Sequence, residues 1–117
     1  STVILVLSPW HPYLYDFLLT GTDQHQGFFE TENWIRQYAH DYNIPLYGSY
    51  DPTCIKGLDE TDFFDGLHCK GSGIAKFFPG VPQVLQDVEN NTLPDPLSVT
   101  PRTTLPVDGE ENVENVG

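Results

Sequence analysis

The sequence predicts a mixed α/β chain built on a parallel βαβ unit and followed by an acidic tail with no core of its own. Three observations carry this reading. The apolar run Val3-Ile4-Leu5-Val6-Leu7 is followed by helical stripes and then by a second short apolar run, Ile44-Pro45-Leu46-Tyr47. All 15 aromatic residues fall within residues 1–78, and residues 79–117 contain none. Six of the ten prolines fall in that second stretch.

Each element has a local reason. Val3–Leu7 is apolar without alternation, as expected of a strand covered on both faces. Its continuation, Ser8-Pro9-Trp10-His11-Pro12, contains two prolines that cannot donate to a ladder. Leu14, Phe17 and Leu18 then fall at i, i+3, i+4 and predict a short amphipathic helix. Thr20–Gly27 reads as a polar loop. A stronger helix is expected from about Glu30 to Tyr42, with Trp34, Ile35, Tyr38, Ala39 and Tyr42 as its core stripe. Glu30 and Glu32 in its first turn suit the positive end of the helix dipole, and His40 suits the negative end. Asn43 is a left-handed stop. Strand, helix, strand in this order predicts a crossover between parallel strands. Asp51–Asp62 is a long loop, with Asp51-Pro52 starting a turn. A final helix is expected around Ser72–Phe78, capped by Ser72.

Residues 1–78 carry 10 acidic and 4 basic groups, and residues 79–117 carry 7 and 1, for a total of −12. Without aromatics, rich in proline and negatively charged, the second stretch cannot offset its ordering entropy. Residues 79–89 form a transition that holds at most one short helix. Residues 90–117 are expected to be a disordered or loosely docked tail, with Asp108–Gly117 as a solvated acidic close. The charge balance excludes nucleic acid, whose phosphates need clustered Lys and Arg. It also excludes anionic membrane surfaces, and no apolar run approaches the ~20 residues that span a bilayer. Two strands do not make a sheet that buries both faces. The chain contains no Met, at position 1 or elsewhere. Both facts lead to the expectation of the C-terminal part of a larger α/β domain.

The chemistry concentrates in one tetrapeptide. In Asp65-Gly66-Leu67-His68 the three-residue spacing lets a carboxylate fold back and accept a hydrogen bond from the imidazole Nδ1–H. That contact fixes the tautomer and leaves Nε2 as the proton acceptor of a general base. The bland alternative is a satisfied surface pair. The four histidines, His11, His25, His40 and His68, lack metal-binding spacing, so no metal is expected. Ser8 precedes Pro9 rather than sitting in a strained nucleophile elbow, and reads as a turn serine. Cys54 and Cys69 are either two thiols or a disulfide. A bridge would contribute about 3 kcal/mol and require an oxidising compartment.

The order of these features resembles the C-terminal half of the SGNH/GDSL hydrolases. The likeness rests on Asp65-Gly66-Leu67-His68, the small-residue turn and helix through Gly73-Ile74-Ala75, Ser8-Pro9-Trp10-His11-Pro12 and Gly48-Ser49-Tyr50-Asp51-Pro52, and it covers about residues 2–78. It implies the C-terminal portion of a three-layer α/β/α sandwich with a parallel sheet. It implies a serine esterase, acyl hydrolase or O-acyltransferase acting on a small-molecule or carbohydrate ester, without a cofactor. His68 would be the general base and Asp65 its orienting carboxylate. Apart from the resemblance, His11 reads as packing near the rim of the site, with substrate contact as the alternative. The family's compartment, periplasmic or secreted, would be extracytoplasmic. This chain departs from the pattern in three ways. It has no Gly-Asp-Ser block for the nucleophile. It lacks the two blocks that complete the oxyanion hole. Cys69 stands where many members have Pro. The segment alone is therefore expected to be inert and to need the N-terminal part of its own domain. Two other readings stand beside this one: an inactive SGNH-like domain in cell-envelope polysaccharide assembly or carbohydrate binding, and a small acidic interaction module.

Overall fold

The computed structural model describes residues 3–103, the side chains of residues 22–24 excepted. Strand β1 (Leu5–Leu7) pairs in parallel with β2 (Leu46–Gly48), in the register Leu5 to Leu46, Val6 to Tyr47 and Leu7 to Gly48. Helices α1 (Pro12–Leu19) and α2 (Thr22–Tyr42) lie between the strands. After β2 come short 3₁₀ turns at Pro52–Cys54 and Glu60–Asp62, helix α3 (Gly71–Ile74), helix α4 (Val81–Asn90) and a 3₁₀ turn at Pro96–Ser98. The chain is thus mixed α/β with a two-stranded parallel sheet.

One apolar cluster joins Leu7, Leu46 and Ala39 between the sheet and α2. Tyr47 faces the other side, buried edge-on against Phe78 at 5.7 Å. Complete cover on both faces is not what forms, because Val6 beside Tyr47 stays 44% exposed. A second cluster joins Tyr15, Leu19 and Phe29, with Trp10, Phe28 and Tyr50 packed on it. In α1 the buried pair is therefore Tyr15 and Leu19, and Phe17 from the expected stripe points to solvent.

Helix α2 differs most from expectation. It begins at Thr22, so the predicted loop 20–27 is its first turns. Gly27 costs such a helix roughly 1 kcal/mol relative to Ala. Phe28 and Phe29, packed tilted or edge-on against Tyr15, Trp10 and Tyr50, oppose that cost. The buried face is also rotated. Phe29, Glu32, Arg36 and Ala39 face inward. Trp34, Tyr38 and Tyr42, expected as the core stripe, are 67%, 41% and 66% exposed and stack on one another along the outside. A buried Glu and Arg are tolerated because every charge is used. Glu32 Oε2 accepts from Arg36 Nε at 2.8 Å and Ser49 Oγ at 2.7 Å, and Oε1 accepts from the Tyr50 N–H. Arg36 also donates to the carbonyls of Gly48 and Pro96. Asn43 ends the helix in the left-handed conformation, as expected (φ 53°).

The expected helix 72–78 shrinks to α3, whose cap position is Lys70. Ser72 does not cap it, because its hydroxyl donates to Asp62 instead. Helix α4 fills the transition segment with Val84 fully buried. Of the two outcomes expected from residue 90, disorder or docking, residues 91–103 take the docked one and lie on the body. Pro101 is buried, Pro96 accepts from Arg36, and Arg102 pairs with Asp51 and Asp16. One arginine and a few backbone groups supply the docking that aromatic content could not. The acidic close at 108–117 lies outside the described residues.

Candidate active site

Beyond β1, the Ser8–Pro12 segment emerges from the carboxyl end of the parallel pair, and beyond β2 so does Ser49–Pro52. Ligand sites of open parallel sheets lie at that edge. The two segments are tied together where the Trp10 N–H donates to the Tyr50 carbonyl at 3.0 Å. Gly48, at the end of β2, has a left-handed backbone (φ 85°), and a side chain there would strike the Leu7 carbonyl. Only glycine lets the strand turn out at this point.

The Asp65–His68 tetrapeptide forms the tip of a turn. Phe63 and Cys69 make an antiparallel bridge, Phe64 N–H donates to the His68 carbonyl at 2.8 Å, and Lys70 N–H donates to the Asp62 carbonyl at 2.6 Å. Within the tip, Asp65 Oδ1 accepts from the backbone N–H groups of Leu67 and His68, each at 2.9 Å. Such local bonds from an aspartate order a loop that has no ladder of its own. His68 Nδ1 lies 2.8 Å from both Asp65 oxygens. The Leu67 N–H first, and the His68 ring second, hold the Asp65 carboxyl below its ordinary range. Asp65 is therefore an acceptor, Nδ1 carries the proton, and Nε2 of the neutral ring is an acceptor. His68 Nε2 has no hydrogen-bond partner among the described residues. The dyad stands on an open surface, with the side chains 72% (His68) and 59% (Asp65) exposed.

Two anchors fix the turn. Asp62, almost wholly buried at its base, accepts from Ser72 Oγ at 2.8 Å, Lys76 Nζ at 2.8 Å and the Asp59 N–H at 3.0 Å. The Lys76 ammonium, with those other donors, pulls its pKa down to about 2. At the tip, the Gly66 carbonyl accepts from the His11 N–H at 3.0 Å. This bond joins the two segments that the sequence singled out 55 positions apart. His11 caps α1, with Nδ1 accepting from the Tyr13 N–H at 3.0 Å, and its ring packs against Phe63 at 5.4 Å and Tyr13 at 5.2 Å.

The remaining candidates separate from this site. Ser8 is exposed and makes no hydrogen bond to His11 among the described residues. His25 Nδ1 contacts the Leu18 carbonyl, and His40 lies beside Asp41. Cys54 and Cys69 are free thiols rather than a bridge. Cys54 approaches the Thr100 carbonyl, and burial pushes its pKa up to about 11, so it is no thiolate nucleophile. Burial raises the Cys69 thiol as well.

Sequence reasoning missed two polar centres. Asp51, read as a turn start, does cap the turn at Thr53, but it is also a wholly buried partner of Arg102. Glu32, read as a dipole partner, is the buried hub beneath Ser49 and Tyr50. The Glu32/Arg36 spacing of four was a legible signal. Nothing local linked Asp51 to Arg102. Comparison with protein-family models, with curated proteins and with solved structures finds no match.

Proposed function

We propose that this segment supplies the base and its orienting carboxylate to a serine esterase, acyl hydrolase or O-acyltransferase, as the C-terminal portion of an SGNH-like α/β/α domain. One observation carries the reading. The Asp65 carboxylate is held by two backbone N–H groups and receives the His68 Nδ1–H, which leaves the opposite ring nitrogen exposed and without a protein partner. A structural ion pair needs no such tautomer control, whereas a general base does.

In this mechanism Nε2 of His68 takes the proton of a serine hydroxyl as its oxygen attacks the ester carbonyl. Asp65 stabilises the imidazolium that forms. His68 then returns the proton to the leaving alkoxide, and water or an acceptor hydroxyl resolves the acyl-enzyme. The attacking serine is expected from a Gly-Asp-Ser block, which residues 1–117 do not contain. The second reading is an inactive SGNH-like domain in carbohydrate binding, in which the same Asp65–His68 pair performs no turnover. Kinetics of the full-length protein on a short-chain aryl ester separate the two. His68→Ala is expected to lower kcat/KM by roughly 10⁴-fold with unchanged circular dichroism. Retention of more than about a tenth of the activity, a loss under ~1.4 kcal/mol, would remove His68 as the base.

A further inference from the structure

We infer that Lys70 sets the specificity of this site, holding a cation on the face of the turn that carries His68 and so selecting esters that bear a negative charge. This deepens the function proposed above and rests on it.

The register of the turn sorts its side chains. Phe63 pairs with Cys69, and the Phe64 N–H donates to the His68 carbonyl. Phe64 therefore stands opposite His68, and opposite residues of an antiparallel pair share a face. Lys70 lies two positions beyond His68 on the same arm, with an extended backbone (φ −73°, ψ 163°), so it returns to that face. Its ammonium follows suit, with Nζ over the Phe64 ring at 5.6 Å from the centroid. Phe63, Cys69 and the His11 ring belong to the opposite face.

The ammonium is held there without a carboxylate. Arg36, Lys76 and Arg102 each have a carboxylate partner, whereas Lys70 makes no ion pair and no side-chain hydrogen bond among the described residues. The residue facing it across the turn is Asp62, whose backbone carbonyl accepts the Lys70 N–H. The Asp62 carboxylate is already served by Lys76, Ser72 and the Asp59 N–H. Lys70 is thus left to the ring, an attraction that orients the ammonium and leaves its three N–H donors unused. Its main chain is fixed on both sides, since its carbonyl accepts from the Gly73 and Ile74 N–H groups at 2.9 and 3.0 Å. A neutral ester gains nothing from such a cation. An anionic one gains a charge-assisted hydrogen bond from a mount that is already ordered. The exposed Phe64 ring offers an apolar surface to the part of the substrate between its charge and its ester bond.

A matched pair of esters tests this. The probes are 4-acetoxybenzoate, which carries a carboxylate, and its neutral methyl ester. In a protein that also carries the nucleophile, Lys70→Gln is expected to lower kcat/KM for 4-acetoxybenzoate about tenfold and to leave the neutral probe within about twofold. Lys70→Arg should retain the preference, and raising the salt to about 0.5 M should erase it in the wild type. An equal loss on both esters, or no loss on either, would overturn the inference. Binding is read without turnover on residues 1–117, by proton spectra with 4-hydroxybenzoate as the probe. Shifts of the Lys70 ε-methylene and Phe64 ring signals are expected in the wild type, and no Phe64 shift in Lys70→Gln. No shift in the wild type, or an unchanged Phe64 shift in Lys70→Gln, would overturn it. The spectra decide the matter even if His68→Ala proves active or no ester is turned over, so failure of the base reading is distinguishable from failure of this one.

Discussion

Arg102 grips Asp51 by three routes across 51 positions of sequence. Its Nε and Nη2 each reach a carboxylate oxygen at 3.0 Å, and its backbone N–H donates to Oδ2 at 2.8 Å. Asp51 has no exposed surface. The same guanidinium reaches Asp16, and the Arg102 carbonyl accepts from the Tyr15 hydroxyl at 2.8 Å. A segment without a single aromatic residue is thus stitched to the body next to the strand exits that carry the candidate site.

Breaking this pair leaves a buried carboxylate without its cation, held only by the Thr53 N–H and hydroxyl and the backbone N–H of residue 102. Arg102→Ala is therefore expected to destabilise the chain by about 3 kcal/mol or more. Urea unfolding of the two proteins, compared at equal slope, measures the difference. A loss under ~1 kcal/mol would mean that residues 91–103 dock only loosely.

Acid should act through the same kind of group. Burial alone would raise the Asp51 pKa, but the Arg102 hydrogen bonds outweigh it and the net shift is downward. Asp62 is lowered to about 2, chiefly by Lys76, and Asp59 and Asp65 are lowered too. A depressed folded-state pKa gives stability that is complete above the unfolded value of about 3.9 and is lost as pH falls through the folded one. Melting temperature should hold steady from neutral pH down to about 5 and fall steeply between about 4 and 2. Asp62→Asn should flatten part of that fall. An unchanged slope in the variant would show that Lys76 and Ser72 do not depend on the Asp62 charge.

Asp65 should matter through orientation. Under the proposed function, Asp65→Asn in a protein that also carries the nucleophile leaves His68 in place but removes its charged partner and favours the wrong tautomer. The expected loss is on the order of 10³- to 10⁴-fold in kcat. KM should change little, because Asp65 has no proposed contact with substrate. A loss confined to KM would instead assign Asp65 to binding.

Gly48→Ala tests how the strands deliver their loops. The left-handed φ and the Leu7 carbonyl both oppose a methyl group at this position. Separation of the β1 exit from β2, with a loss of roughly 3 kcal/mol or more, is expected. Thermal unfolding supplies the stability. Amide exchange at Trp10, whose N–H bonds to Tyr50, reports whether the exits part. Faster exchange there than at Ala39 is the expected pattern.

Some of this was fixed by local order alone. The βαβ succession, the stop at Asn43 and the Asp65–His68 pairing all rest on residues within a few positions of one another. Periodicity, a left-handed cap and a three-residue spacing act at that range, so the sequence by itself determines them. Tertiary structure decided the rest. Which face of α2 is buried depended on Ser49, Tyr50 and Pro96 arriving to satisfy Glu32 and Arg36. Without those partners the apolar stripe of Trp34, Tyr38 and Tyr42 would have been the cheaper face to bury. The docking of residues 91–103 depended on one arginine finding a buried aspartate far along the chain. His11 joined the candidate site through a backbone bond to Gly66, and backbone bonds leave no mark in side-chain identity. A buried charge is unfavourable until its distant partners are in place, and no local pattern records where they will come from.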